Sequence, residues 1–242
     1  MTSPWLGEFL GTMILVLLGD GVVAAVLLKR SKAEGSGWIV ITTGWAVAVM
    51  AGVFTAIACG SRDAHLNPAV TLGFALRDGH FAKFLPYLAA QMLGAVVGAA
   101  LVWLHYHPHW KETADTGLKL GCFCTAPAIR KTFANFMSEV IATFVFVFVA
   151  GAILSKSVAA GGPAAGLGPY LLGSLVWGIG LSLGGPTGYA INPARDLGPR
   201  VAHAILPIAG KGGSDWAYAP IPVLGPLTGG LLAGALLRVL GV

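Results

Sequence analysis

The sequence predicts an all-α membrane protein: six transmembrane helices plus two re-entrant half-helices, arranged as an inverted repeat. Three observations carry that expectation. The chain of 242 residues is 56% hydrophobic and only 10% charged, whereas a soluble domain carries roughly 25% charged residues. Such a chain cannot cover itself with a charged surface and belongs in lipid. Six apolar stretches each approach the roughly 20 residues that cross a bilayer. Two further apolar segments are too short to cross, and both begin Asn-Pro-Ala.

In chain order, the spans are expected at about 5–28, 37–58, 84–106, 133–154, 166–183 and 219–240. The short segments cover 67–77 and 192–206. Apolar segments of that size inside a membrane protein suggest half-helices that enter and turn back. The 35 glycines suit helices that must approach backbone to backbone, because lipid supplies no hydrophobic drive between them.

The two halves resemble each other. The first span reads Glu8-Phe-Leu-Gly-Thr12 and the fourth Glu139-Val-Ile-Ala-Thr143; the glutamates lie 131 residues apart, and Asn67 and Asn192 lie 125 apart. This is an internal repeat, expected over 1–131 and 132–242. Each unit holds three spans with a half-helix between its second and third. Three is odd, so the second unit must enter from the opposite face, and the repeats are inverted about the midplane.

That parity aims the amino ends of the two half-helices at each other. Asn67 and Asn192 are placed as N-caps, with Pro68 and Pro193 as first helical residues, where a missing N–H is harmless. Each helix amino end carries about half a positive charge, so two facing ends oppose cations in mid-membrane. With the asparagine oxygens used in capping, their NH2 groups are expected to remain as donors to a passing oxygen. One Asn-Pro-Ala is a weak signal; two in matched places of an inverted repeat are strong.

Other features exclude competing classes. The pI of about 9.3 reflects 15 Lys+Arg against 10 Asp+Glu, an excess that suits anionic headgroups, and no nucleic-acid partner is expected. Cys59, Cys122 and Cys124 lack metal-site spacing and are read as incidental thiols. The histidines do not cluster on a zinc pattern: His105, His107 and His109 alternate in an expected solvated loop, and His65 is read as bracing the loop before Asn67. No cofactor and no metal is expected. No cleavable signal peptide is expected either, because the N-terminus lacks a basic region and runs into a full-length span. A coupled transporter would need a carboxylate at the centre, where asparagines are expected. An intramembrane protease would need a catalytic pair, and Asp20 has no obvious partner; it is expected near the far end of the first helix, in contact with water.

At Ala64-His65-Leu66-Asn67-Pro68-Ala69-Val70-Thr71 and Thr187-Gly188-Tyr189-Ala190-Ile191-Asn192-Pro193-Ala194-Arg195-Asp196 the chain resembles the aquaporin and glycerol facilitator family, over nearly its full length. The resemblance implies an hourglass fold, one pore per subunit and a homotetramer. It implies a passive channel, not an enzyme, for glycerol, other small neutral solutes and water. A water-selective pore, or a facilitator of lactic acid, urea, peroxide or metalloid acids, remains the alternative.

The resemblance also implies an aromatic/arginine filter of four positions, which map onto Trp45, Gly180, Tyr189 and Arg195. At the second-helix position, Gly44-Trp45-Ala46-Val47-Ala48 matches the facilitator pattern at Trp45, whereas counting back from Asn67 would select Val47. Glycine at 180, where water-selective relatives usually place histidine, is expected to leave the ring wide. Asp196, Arg200 and Pro222 match the glycerol-type pattern. Glu8 and Glu139, as intramembrane carboxylates, call for a function or a buried partner; their symmetry suggests that each accepts hydrogen bonds from the loop before a half-helix. The family topology puts both termini in the cytoplasm of a cell membrane. That leaves Lys29, Arg30, Lys32, Lys111, Lys119, Arg130, Lys131 and Lys211 outside, against Arg62, Arg77, Lys83, Lys156 and Arg238 inside, a distribution against the positive-inside tendency.

Overall fold

The structure is a computed structural model that describes residues 2–158 and 160–242. Its described elements are helices: α1 (Pro4–Leu27), α2 (Trp38–Ala58), α3 (Pro68–Asp78), α4 (Phe84–His105), α5 (His109–Glu112), α6 (Thr116–Gly121), α7 (Thr132–Leu154), α8 (Gly168–Leu183), α9 (Pro193–Ile205) and α10 (Pro220–Leu240). Five of them, α1, α2, α4, α7 and α10, are long and apolar enough to cross a bilayer. The expected fifth span, α8, has 16 residues, about 24 Å at 1.5 Å per residue. It starts at Gly168-Pro169 and is stopped by Gly184-Gly185-Pro186, so it is shorter than the hydrocarbon core is thick. The short helices α5 and α6 were not expected; Asp115 caps α6 by accepting from the amides of Gly117 and Leu118.

The chain is a multi-pass membrane protein whose connections sort onto two faces. On one face Ser3 N–H donates to the Cys59 carbonyl and Arg238 Nη1 to the Leu76 carbonyl, so both ends of the chain share it. On the other, Lys29 N–H donates to Thr113 Oγ1, and Arg130 is paired with Asp215. Helix α3 descends from the first face and α9 from the second, and their amino ends meet in the interior.

Each half-helix packs against a long helix from the other half of the chain: α3 lies on α10, and α9 on α4. Glycine makes the approach possible. A Cβ on Gly230 would stand 2.4 Å from the Ala69 carbonyl oxygen, and one on Gly234 2.1 Å from that of Gly73. At the second contact a Cβ on Gly198 would meet Ala95 Cβ at 2.5 Å. These are contacts with backbone or with a side chain that cannot turn away. Gly178 differs, with nothing within 4 Å of its would-be Cβ.

Gly230→Ala is therefore expected to lower stability by at least the roughly 1–3 kcal/mol of an overpacked core. Gly178→Ala should be neutral or stabilising, since alanine is the better helix former by about 1 kcal/mol. Thermal unfolding of the two purified variants in one detergent checks this, and equal melting temperatures would count against glycine-mediated seating.

Candidate functional site

The half-helices are joined at their tips by crossed hydrogen bonds. Asn67 Oδ1 accepts from Ala69 N–H at 2.8 Å. Asn192 Oδ1 accepts from the amides of Ala194 and Arg195 at 3.0 and 3.3 Å. Each side-chain amide then reaches across: Asn67 Nδ2 donates to the Ile191 carbonyl at 2.9 Å and Asn192 Nδ2 to the Leu66 carbonyl at 2.8 Å. The expectation that both NH2 groups stay free needs correction. One hydrogen of each is used to lock the opposite loop, and the second remains.

The loops that end at these asparagines are strained in a matched way. Ala64 and Leu66 have φ of 44° and 52°, Tyr189 and Ile191 of 40° and 44°, a left-handed region that costs a non-glycine residue about 1–3 kcal/mol. Alternating handedness turns the loop amides outward, toward a buried carboxylate. Glu8 accepts from the amides of His65 and Leu66, both at 2.8 Å, and from Ser61 Oγ and Gln91 Nε2. Glu139 accepts from the amides of Ala190 and Ile191 at 3.0 and 2.9 Å and from Thr187 Oγ1 at 2.6 Å. Sequence reasoning gave Ser61, Gln91 and Thr187 no part in holding these carboxylates; a glutamine inside an apolar span was the available signal.

A cavity runs through the interior from Asp63 and His65, past Asn67 and Asn192, to Tyr189 and Arg195, with apolar walls that include Val53 and Val176. His65 Nδ1 lies 3.2 Å from Thr71 Oγ1, and its ring packs on Phe74 and Tyr87. At the other end the structure brings Trp45, Gly180, Tyr189 and Arg195 together. The Arg195 guanidinium lies 4.1 Å over the Trp45 ring and its Nη1 is 3.5 Å from the Phe123 carbonyl. Trp45 is buried at this position, whereas Val47 points outward. The expectation of a wide ring is corrected by Tyr189: a Cβ on Gly180 would stand 2.8 Å from Tyr189 Cζ and 2.9 Å from its Oη. The room left by glycine is filled by the phenol.

Asp20 also differs from expectation. It is not wet but 1% exposed, and its Oδ1 lies 3.6 Å from Arg195 Nη1. Asp196 and Arg200 form a separate, fully buried pair at 2.8 Å. Arg200 also donates to the carbonyls of Ser214, Asp215 and Thr125, and Asp196 accepts from Thr125 N–H and Oγ1, each at 2.7 Å. The pair thus fastens two surface loops to α9. Pro222 is buried in the first turn of α10. His105 and His107 are exposed, His109 Nδ1 lies 3.0 Å from the Lys29 carbonyl, and the three cysteines are free.

Broken helices meeting at mid-protein, each tied to a buried carboxylate and flanked by long apolar helices, define a helical membrane protein built around a central cavity. The chain belongs to the major intrinsic protein family, whose profile matches residues 2–237. It is 57% identical to glycerol uptake facilitator protein 3 of Lactiplantibacillus plantarum, over 97% of this chain and 95% of that protein. It is 56% identical to a probable glycerol uptake facilitator protein of Thermotoga maritima, over 97% of each. Among solved structures it is similar to the aquaglyceroporin from Plasmodium falciparum, with TM-score 0.83 and 26% identity over 97% of this chain and 94% of that one.

The carboxylate geometry refines what substitution at 139 should do. Glutamine keeps one acceptor but sets an NH2 group against a loop donor, so Glu139→Gln should lose part of a charge-assisted set worth about 1.5–3 kcal/mol per bond. Glu139→Ala leaves three donors unpaired and should fail to assemble. Size-exclusion profiles and thermal melts of both variants test this ranking, and an alanine variant as stable as glutamine would refute it.

Proposed function

We propose that this protein is a passive channel for glycerol and other small neutral solutes, with water permeability. The observation that carries the reading is the end of the cavity where Arg195 faces the rings of Trp45 and Tyr189. A polyol is two-sided: its CH edge can slide along aromatic rings while its hydroxyls meet a guanidinium fork and loop carbonyls. Trp45, Gly180, Tyr189 and Arg195 act as the selectivity filter. Asn67-Pro68-Ala69 and Asn192-Pro193-Ala194 act as the mid-pore constriction, each asparagine offering its remaining N–H. The names of the relatives, glycerol uptake facilitators at 56–57% identity, support the solute class.

Selectivity against cations falls to the paired amino ends of α3 and α9, each carrying about half a positive charge. Glu8 and Glu139 are scaffold groups rather than a proton relay, because each is consumed by loop amides. Residues 1–131 and 132–242 are read as the two inverted repeats. The protein works as a homotetramer with one pore per subunit, in the cell membrane with both termini cytoplasmic.

Purified protein in liposomes should admit glycerol rapidly without an ion gradient, exclude sucrose, and carry no K+ or Na+ current in planar bilayers. A robust cation current would instead favour a coupled transporter. Gly180→His needs the place of the Tyr189 phenol, so it should reduce glycerol entry at least tenfold and water entry much less. Equal loss of both, in protein that still assembles, would remove Gly180 from the filter.

A further inference from the structure

Asp20 sits within α1 with both carboxyl oxygens buried and without a hydrogen bond. An ionised carboxylate so placed is expensive unless compensated. Its ion pair among the described residues is with Arg195, at 3.6 Å. The other buried charges nearby are committed elsewhere: Arg200 holds Asp196, Thr125 and two loop carbonyls, and Asp196 is saturated by Thr125 and Arg200. Arg195, itself only 8% exposed, has no second carboxylate within ion-pair distance among the described residues. The amino end of α9, where Arg195 is the third residue, adds partial positive charge at the same place.

We infer that Asp20 is the ionised counter-charge of Arg195 and a positioning residue for the solute filter. This inference rests on reading that ring as the filter. Arg195 is held from three directions: by the Trp45 face, by the Phe123 carbonyl and by Asp20 in α1. Gly19, beside Asp20, allows this because a Cβ there would overlap the Trp45 ring at 2.2 Å. The ring therefore keeps a fork of donors while staying close to electroneutral. Hydroxyl solutes are bound and released, and anions gain no net attraction. An uncompensated guanidinium in the same low-dielectric place would hold anions and lose one of its three restraints.

The test uses full-length protein in liposomes, with glycerol entry followed by light scattering and nitrate replacing gluconate at constant ionic strength. Wild type should pass glycerol at a rate indifferent to nitrate. Asp20→Asn, nearly isosteric, should pass it about tenfold more slowly and be slowed further by nitrate. In an Arg195→Gln background, Asp20→Asn should change nothing more, because the carboxylate acts through the arginine. Wild-type glycerol entry and no nitrate effect in Asp20→Asn would overturn the counter-charge while leaving the polyol channel intact. So would an Asp20→Asn loss of equal size in the Arg195→Gln background. Absence of glycerol entry in wild type would overturn the filter reading, and this inference with it. A measurement that needs no variant is the infrared spectrum of wild type labelled with carboxyl-13C aspartate at neutral pH. Ionised carboxylate bands alone are expected; a protonated-acid carbonyl band would overturn the proposal.

Discussion

Backbone that stops being helical halfway across a bilayer must find partners for its amides inside the protein, since lipid offers none. This chain breaks twice, before Asn67 and before Asn192, and the rest of the structure follows from repairing those breaks. Glu8 and Glu139 each collect two consecutive amides, which forces alternate residues into left-handed backbone. That strain turns the carbonyls of Leu66 and Ile191 inward, where the opposite asparagine bonds them. Two glutamates, two asparagines and two strained loops form one closed set of hydrogen bonds. A cavity with apolar walls can therefore carry a few polar groups, Asn67 and Asn192 among them, through the middle of the molecule.

Electrostatics divides along the same lines. The half-helices aim their positive ends inward and their negative ends at the two faces, and each negative end receives a cation. Lys211 Nζ donates to the carbonyls of His203, Ala204 and Leu206 at the end of α9, and Arg238 to that of Leu76 near the end of α3. Lys119, nearly fully buried, is satisfied by the carbonyls of Ala209 and Gly210. These lysines are structural, closing loops on the face away from the termini.

Much of the fold was legible because lipid makes its rules strict. Span length, the paired Asn-Pro-Ala triplets and the odd number of spans per repeat point to a topology, and the observed helix bounds, those of α8 included, lie within a few residues of the apolar stretches. The site was legible where a residue is defined by local sequence: Arg195 follows Asn192 by three, and both asparagines cap helices. It was illegible where contact depends on distant chain. Nothing near Asp20 indicates that α9 will bring Arg195 to it. Nothing at Gly180 says that its space belongs to Tyr189 rather than to a solute. The free NH2 groups were a miscount of the same kind, since the accepting carbonyls lie 124 and 126 residues away.

The seating of α3 on α10, and of α9 on α4, has a consequence for how the molecule is made. Residues 68–78 leave the ribosome well before the surface that receives them, Gly230 and Gly234 of α10 in the other half of the chain. The first half can insert its long helices in order, but its half-helix has no finished berth until α10 is made. Such distant contacts make folding slow and leave exposed intermediates. Quality control in the membrane would meet this protein as a bundle with one loose element, tightened only when α10 arrives.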